Sequence, residues 1–314
     1  MSHETPQPES GTVFSGAELA ASLNEAAVSE TRTLPERITQ RDIQAHVPKL
    51  GGTEIILQRH GEYIRDEDDP FVGSLTGRAE RDQNQLGYDV VAQLIGGIPE
   101  AERENFDILV VASDTQYQGG GRRSMETAEA VWDGMAGALA DADLDSGRII
   151  NVVQPVQGID GQSITGVPQV EPRLREPQML SHEAFSQFLT ERYGAQTRDF
   201  WIAFEEDWHA EDRATMNAEG PDGIADRTQE AVSALAEFAK GYHDANPGRR
   251  LLIWAATHYD TISPFVKLKL AGGTKQDGLP VDYGGGIAID LAPDGHATST
   301  IADTTYDVPL HPRG

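Results

Sequence analysis

Glu54-Ile55-Ile56-Leu57-Gln58-Arg59-His60-Gly61-Glu62 is a short apolar run that ends abruptly in an arginine, a histidine, a glycine and a carboxylate. A run of that length has the character of a buried strand. Its polar end would then lie at the carboxyl edge of a sheet, where open α/β folds bind ligands. Taken alone, Arg-His-Gly is equally an ordinary polar strand end, so the rest of the chain has to supply partners for it.

Two further apolar runs end in the same way. Ile108-Leu109-Val110-Val111-Ala112 stops at Ser113-Asp114, and a glycine-rich loop, Gly119-Gly120-Gly121, then leads to Arg122-Arg123. Leu251-Leu252-Ile253-Trp254-Ala255-Ala256 stops at Thr257-His258. Another strand is expected over Ile149 to Val156, and more from Val281 to Thr300 around a turn at Pro293-Asp294-Gly295.

Helical spacing is read between these runs. One helix is expected from Thr76 to Ile95, one after Arg123 through Met135, two within 182–209, and a long one capped by Asp226 and running to Tyr242. Asp260 is placed to cap a last helix reaching Leu270. Apolar strands alternating with amphipathic helices predict a three-layer α/β/α sandwich around a mainly parallel central sheet.

The expected organisation is an N-terminal extension over 1–50 and one α/β domain over 51–314, with a helical insertion at about 177–225. In the extension, 1–14 is expected to be disordered. Short helices are expected over 17–25 and from Pro35 to His46.

Composition narrows the function. The chain has 314 residues, no cysteine and a net charge of −26. Thiolate catalysis, disulfides and cysteine metal sites are thereby excluded. The field repels nucleic acid and anionic membranes, so neither is an expected partner. No apolar run approaches the roughly 20 residues of a membrane span, and Met1 to Thr12 lacks a signal-peptide apolar segment. The cytoplasm is the expected location. The acidity reads as a solvated surface, with adaptation to high salt or a basic partner as the functional alternatives. The acidic run Asp66-Glu67-Asp68-Asp69 reads as a solvated loop, and His46, His182, His209 and His243 show no metal-ligating pattern.

In a parallel sheet the three polar strand ends share one edge. Two histidines and two arginines converging there describe an anion site with a nucleophile. At this point the motifs carry a resemblance. Leu57-Gln58-Arg59-His60-Gly61-Glu62 resembles the strand-and-loop signature of the histidine phosphatase (phosphoglycerate mutase-like) superfamily. Leu75-Thr76 resembles that family's next element. Ala112-Ser113, then Arg123-Ser124-Met125-Glu126-Thr127-Ala128, resembles its second strand end and Arg-x-x-x-Thr-Ala helix start. Leu174-Arg175-Glu176 resembles its Leu-x-Glu, and Thr257-His258 its second histidine. The matches run in family order over 53–270.

The resemblance implies a metal-independent phosphatase acting on a phosphate monoester, with no cofactor. His60 would be the nucleophile and pass through a phosphohistidine. Arg59 and Arg123 would grip the phosphoryl group, with Arg122 as the rival to Arg123. His258 would donate from the other side, best when protonated, and Glu176 would act as the acid, with Glu62 and Asp114 as rivals.

Arginines would take the electrostatic role that magnesium plays elsewhere. The substrate would be a small phosphorylated molecule or a phosphoprotein. The chain departs from the pattern in four places: the insertion of Asp114 to Arg122, Tyr259 where glycine is usual, Pro177-Gln178-Met179 after Glu176, and Tyr63-Ile64-Arg65-Asp66 after Glu62. The last departure favours hydrolysis over mutase chemistry. Tyr259 and Pro177 motivate the alternative, a non-catalytic phospholigand-binding module of the same fold; a phosphomutase is third.

Overall fold

In the computed structural model, residues 34–66, 68–116, 120–151, 156–157, 163–164, 168–177, 183–195, 197–273 and 278–311 are described. They belong to one compact unit, Leu34–Gly314. The disorder expected over 1–14 and the helix expected over 17–25 fall outside the described residues.

Strand β1 (Thr53–Arg59) is followed by helix α1 (Gly77–Gly97), β2 (Phe106–Ala112) and α2 (Arg123–Asp141). A small two-stranded ribbon, β3 (Val156–Gln157) and β4 (Ser163–Ile164), precedes β5 (Gln169–Val170). Helices α3 (Glu183–Tyr193), α4 (Arg198–Glu205), α5 (Ala210–Thr215) and α6 (Pro221–Ala245) come next. The chain returns through β6 (Arg250–Thr257) to α7 (Tyr259–Phe265), which runs into a π-helical turn at Val266–Leu270. It closes with β7 (Gly286–Leu291), β8 (Ala297–Ile301) and β9 (Thr304–Asp307).

Among the described residues the main sheet has the order β5-β2-β6-β1-β7-β8-β9. The pairs β5–β2, β2–β6 and β6–β1 are parallel, and an antiparallel meander, β7–β8–β9, extends the edge at β1. The expected α/β/α layering is what the structure shows. Alternate residues of each central strand serve opposite cores. Ile55, Leu57, Leu109, Val111, Ile253 and Ala255 pack with α6 and α7. Ile56, Ile108, Val110, Leu252 and Trp254 pack with α1 and α2. Burial on both faces explains why these strands read as unbroken apolar runs.

On one face α1 and α2 touch backbone to backbone. A Cβ at Gly134 would lie 1.9 Å from the Asn84 carbonyl oxygen, and one at Gly87 would lie 2.4 Å from that of Val131. Only glycine permits that approach. A separate small core of Phe185, Leu189, Phe200, Phe204 and Ile224 holds α3 and α4 against the start of α6.

Several local expectations are corrected. The helix from Pro35 to His46 is absent apart from one 3-10 turn, Gln40–Asp42, because Ile38 is drawn into a bridge with Val281 and buries in the core. The strand from Ile149 to Val156 reduces, among its described residues, to a bridge between Ile149 and Ile108 and the short β3. The parallel edge strand is instead β5, in a stretch that reads as loop. Helix α6 starts at Pro221, a fixed-φ residue suited to the first turn, so Asp226 lies inside it and caps nothing. Asp260 is likewise inside α7, whose N-cap is His258.

Candidate active site

The parallel strands β1, β2 and β6 put their carboxyl ends together. Register pairs Arg59 with Thr257, and Ala112 with Ala256. His60 and His258 each stand one residue past their strands and are therefore neighbours, with ring centroids 5.3 Å apart. The backbone N–H of His60 donates to the Thr257 carbonyl at 2.9 Å, which fixes the first histidine against the second strand end.

His60 is buried, and its Nδ1 lies 2.8 Å from the Gly61 carbonyl oxygen. A carbonyl only accepts, so Nδ1 carries the proton and Nε2 keeps its lone pair. Burial first, then the charges of Arg123, His258 and Arg59, hold its pKa well below the usual imidazole range. Gly61 lets α1 pack closely against the strand end. A Cβ there would lie 3.1 Å from Ala79 Cβ and 3.2 Å from Gln83 Cγ.

Arg59 is held by the Val281 carbonyl and lies face-on to Tyr283, 3.9 Å from the ring centre. Tyr259 sits 5.2 Å away on another side. Tyr259 packs edge-on against Trp201 of α4. Burial lowers the Arg59 pKa, while the neighbouring tyrosines and Asp260 oppose that shift.

Arg123, the first residue of α2, is buried and forms an ion pair with Glu176. Its guanidinium also lies 4.3 Å from the Tyr63 ring centre. Arg122 is exposed, and its charge bears on Glu129 along the outside of α2. The structure thus brings Arg59, His60, Arg123, Glu176 and His258 together and leaves Arg122 outside. Of the rival acids, Glu62 and Asp114 are exposed.

His258 is fully enclosed. Its Nε2 meets Ser113 Oγ at 2.8 Å and Ser124 Oγ at 3.1 Å. Its Nδ1 lies 3.3 Å from Glu176 Oε1, without hydrogen-bond geometry. Burial and the Arg123 charge push its pKa down to about 3, with Asp260 opposing, so the ring is neutral in the free site.

The residues between the motif positions act as fasteners. Thr127 Oγ1 accepts the Gly61 N–H at 3.0 Å and donates to the Arg123 carbonyl at 2.7 Å. Glu126 accepts the backbone N–H groups of Leu75 and Arg122. This binds the arm bearing Tyr63 to the start of α2. Tyr63 and Tyr283 roof the site, 5.5 and 5.8 Å from the His60 ring centre. Arg65 donates to the Tyr283 hydroxyl.

Sequence reasoning missed the roofing role of both tyrosines and the fully buried Asp260. The roof is built from positions 220 residues apart, which no local pattern joins. Asp260 reads as a cap because aspartate usually is one. Instead its carboxyl is buried beside His258 and Arg123; burial raises its pKa, and these two neighbours oppose the shift. Among the described residues no cluster of three or more His, Asp or Glu could hold a metal ion, and no helix is long and apolar enough to cross a membrane.

No family model and no curated protein matches the sequence. Among solved structures, a phosphoglycerate mutase from Bacillus anthracis is 14% identical with a TM-score of 0.46, over 82% of this chain and 94% of that one. A mycobacterial glucosyl-3-phosphoglycerate phosphatase is 13% identical with a TM-score of 0.44, over 80% and 98% respectively. A protein described as mycobacterial hydrolase 1 is 15% identical with a TM-score of 0.44, over 81% and 99%. At such identities and TM-scores no residue role passes from those proteins to this chain, and the site is read from its own side chains.

Proposed function

We propose that this protein is a phosphate-monoester hydrolase that works through a phosphohistidine on His60, without a metal ion. The observation that carries the reading is the state of His60. It is a buried, neutral imidazole with Nδ1 engaged by Gly61, so that Nε2 is free to attack, and it stands between two guanidiniums. A surface histidine near pH 6.5 would spend much of its time protonated and inert as a nucleophile.

Uncatalysed phosphate-monoester hydrolysis is so slow that about 20 kcal/mol of barrier reduction is needed. Positioning and charge supply it. Nε2 of His60 attacks phosphorus in line, the P–N bond forms, and the ester P–O bond breaks. Arg59 and Arg123 hold the equatorial oxygens through charge-assisted hydrogen bonds. Glu176 gives the departing oxygen its proton. In the second half Glu176 takes a proton from water, which attacks phosphorus and frees His60. The arriving dianion also adds the negative charge that favours protonated His258 as a donor.

The test is phosphate release from 4-nitrophenyl phosphate in EDTA, comparing wild type with His60→Ala. An acid-labile, base-stable phosphoprotein trapped by quenching wild type, and absent from the variant, is the expected result. Wild-type release no faster than that of the variant at saturating substrate overturns the reading.

A further inference from the structure

Beside the roofed histidines lies an open groove of about 220 Å³, lined by Gln40, Glu62, Arg78, Asp82, Gln83 and Tyr283. It starts one aromatic ring from the nucleophile. Tyr283 forms its wall and also covers Arg59, and the Gly284 N–H donates to the His60 carbonyl at 3.3 Å. The volume lies below the roughly 300 Å³ at which drug-sized sites begin, so it suits a small moiety.

Three buried side chains fix what the groove offers. The Trp254 indole can only donate, and it donates to Gln58 Oε1 at 2.8 Å. The Gln58 amide nitrogen must therefore face the other way, and it donates to Gln83 Oε1 at 2.6 Å. That leaves Gln83 Nε2 as a donor. Gln83 is only 2% exposed, lines the groove, and spends this nitrogen on no hydrogen bond among the described residues.

Gly284, at φ +70°, keeps the place open. A Cβ there would lie 2.7 Å from Gln83 Nε2 and 2.6 Å from Gln40 Nε2. The same lining carries the acceptor-only carboxylates of Glu62 and Asp82. Asp82 lies 3.5 Å from Arg78, and the charge of Glu62 bears on Arg65, which donates to the Tyr283 hydroxyl.

We infer that this groove holds the leaving group of the phosphate ester, and that the leaving group is a neutral, polyhydroxylated moiety of sugar type. The inference rests on the proposed hydrolase activity. Hydroxyl groups both accept from amide N–H and donate to carboxylates, so they satisfy both kinds of wall at once. A leaving group bearing its own carboxylate meets the −26 field unfavourably. The flat Tyr283 face suits the apolar C–H side of such a ring.

The experiment compares kcat/KM for glucose 6-phosphate, 3-phosphoglycerate and 4-nitrophenyl phosphate on wild type, Gln83→Leu and Asp82→Ala. Wild type is expected to prefer glucose 6-phosphate over 3-phosphoglycerate by ~10-fold or more, about the weight of one or two hydrogen bonds. Each substitution is expected to raise KM for glucose 6-phosphate ~5-fold more than for 4-nitrophenyl phosphate. Equal effects on both substrates, or preference for 3-phosphoglycerate, overturn the inference while the hydrolase stands. Asp82 is exposed, so its variant serves if Gln83→Leu does not fold.

Calorimetric titration of the His60→Ala protein separates the two readings. If wild type releases phosphate from none of the three, the hydrolase reading fails. Tighter binding of glucose 6-phosphate than of 3-phosphoglycerate, weakened by Asp82→Ala, supports the groove in either case. Absent or equal binding refutes it.

Discussion

Glu54 is the second residue of β1, the strand that ends in Arg59, and it is a sharp handle on stability. It has no exposed surface. One carboxyl oxygen accepts the His46 N–H at 3.1 Å, and the other has no hydrogen-bond partner. Across the β1–β7 ladder its register partner is Asp290, a second carboxylate. Burial, reinforced by Asp290 and opposed by His46, raises its pKa from 4.5 to about 8.

The sign follows from linkage. The folded chain holds this proton more tightly than the unfolded chain does. The resulting stability is complete below pH 4.5 and is lost as pH climbs toward 8. At about 1.4 kcal/mol per pH unit the loss across the window is of order 5 kcal/mol, large beside a typical domain stability of about 5–15 kcal/mol.

Glu54→Gln keeps an acceptor for His46 and cannot ionise. Urea unfolding of both proteins from pH 5 to 8.5 removes every other carboxylate from the comparison by difference. The variant's advantage should grow by ~4 kcal/mol across that range. A difference that stays flat with pH would show that Glu54 is ionised or solvated in the folded chain and would refute the reasoning. Asp290→Asn should lower the midpoint of the pH-dependent loss only slightly, since burial is the larger cause.

Four further outcomes are expected. Glu176→Gln should slow turnover of glucose 6-phosphate by ~100-fold or more while affecting 4-nitrophenyl phosphate far less, because only the poor leaving group needs a proton; equal losses would remove Glu176 as the acid. Thr127→Val strands the Gly61 N–H and should cost about 1–3 kcal/mol in urea unfolding with a fall in kcat/KM. Asp107→Asn, which breaks the buried contact with Arg249 and Tyr242, should destabilise by about 3 kcal/mol with KM unchanged. The pH profile of kcat/KM should show no acid limb from the nucleophile near pH 6.5, since His60 stays neutral well below it.

The sheet was legible because its central strands are buried on both faces, which writes them as continuous apolar runs such as Leu251–Ala256. That same burial hid which residue faces which helix layer, since no polar alternation marks the pleat. Helix starts were less legible because Asp226 and Asp260 carry the chemistry of caps. Gly220-Pro221 and the buried strand end at His258 decided the boundaries instead. Residues 34–50 misled for a tertiary reason: Ile38 finds Val281 across the fold, and local helical spacing gives way to that pairing.

At the site, the motif positions could be read, but the choice between Arg122 and Arg123 could not. Adjacent residues at a helix start point in different directions, and only packing selects one. Burial selects Arg123, and its contact with Glu176 gives the choice a chemical consequence. In the free site the guanidinium pairs with the carboxylate that the proposed chemistry needs as an acid. A substrate phosphoryl group seeks the same guanidinium, so binding substitutes one anion for another. In the proposed reaction Glu176 would then lose its cationic partner as a second negative charge arrives, and both changes would favour its protonated form. Substrate binding would thus prepare the acid for the leaving oxygen in the proposed reaction.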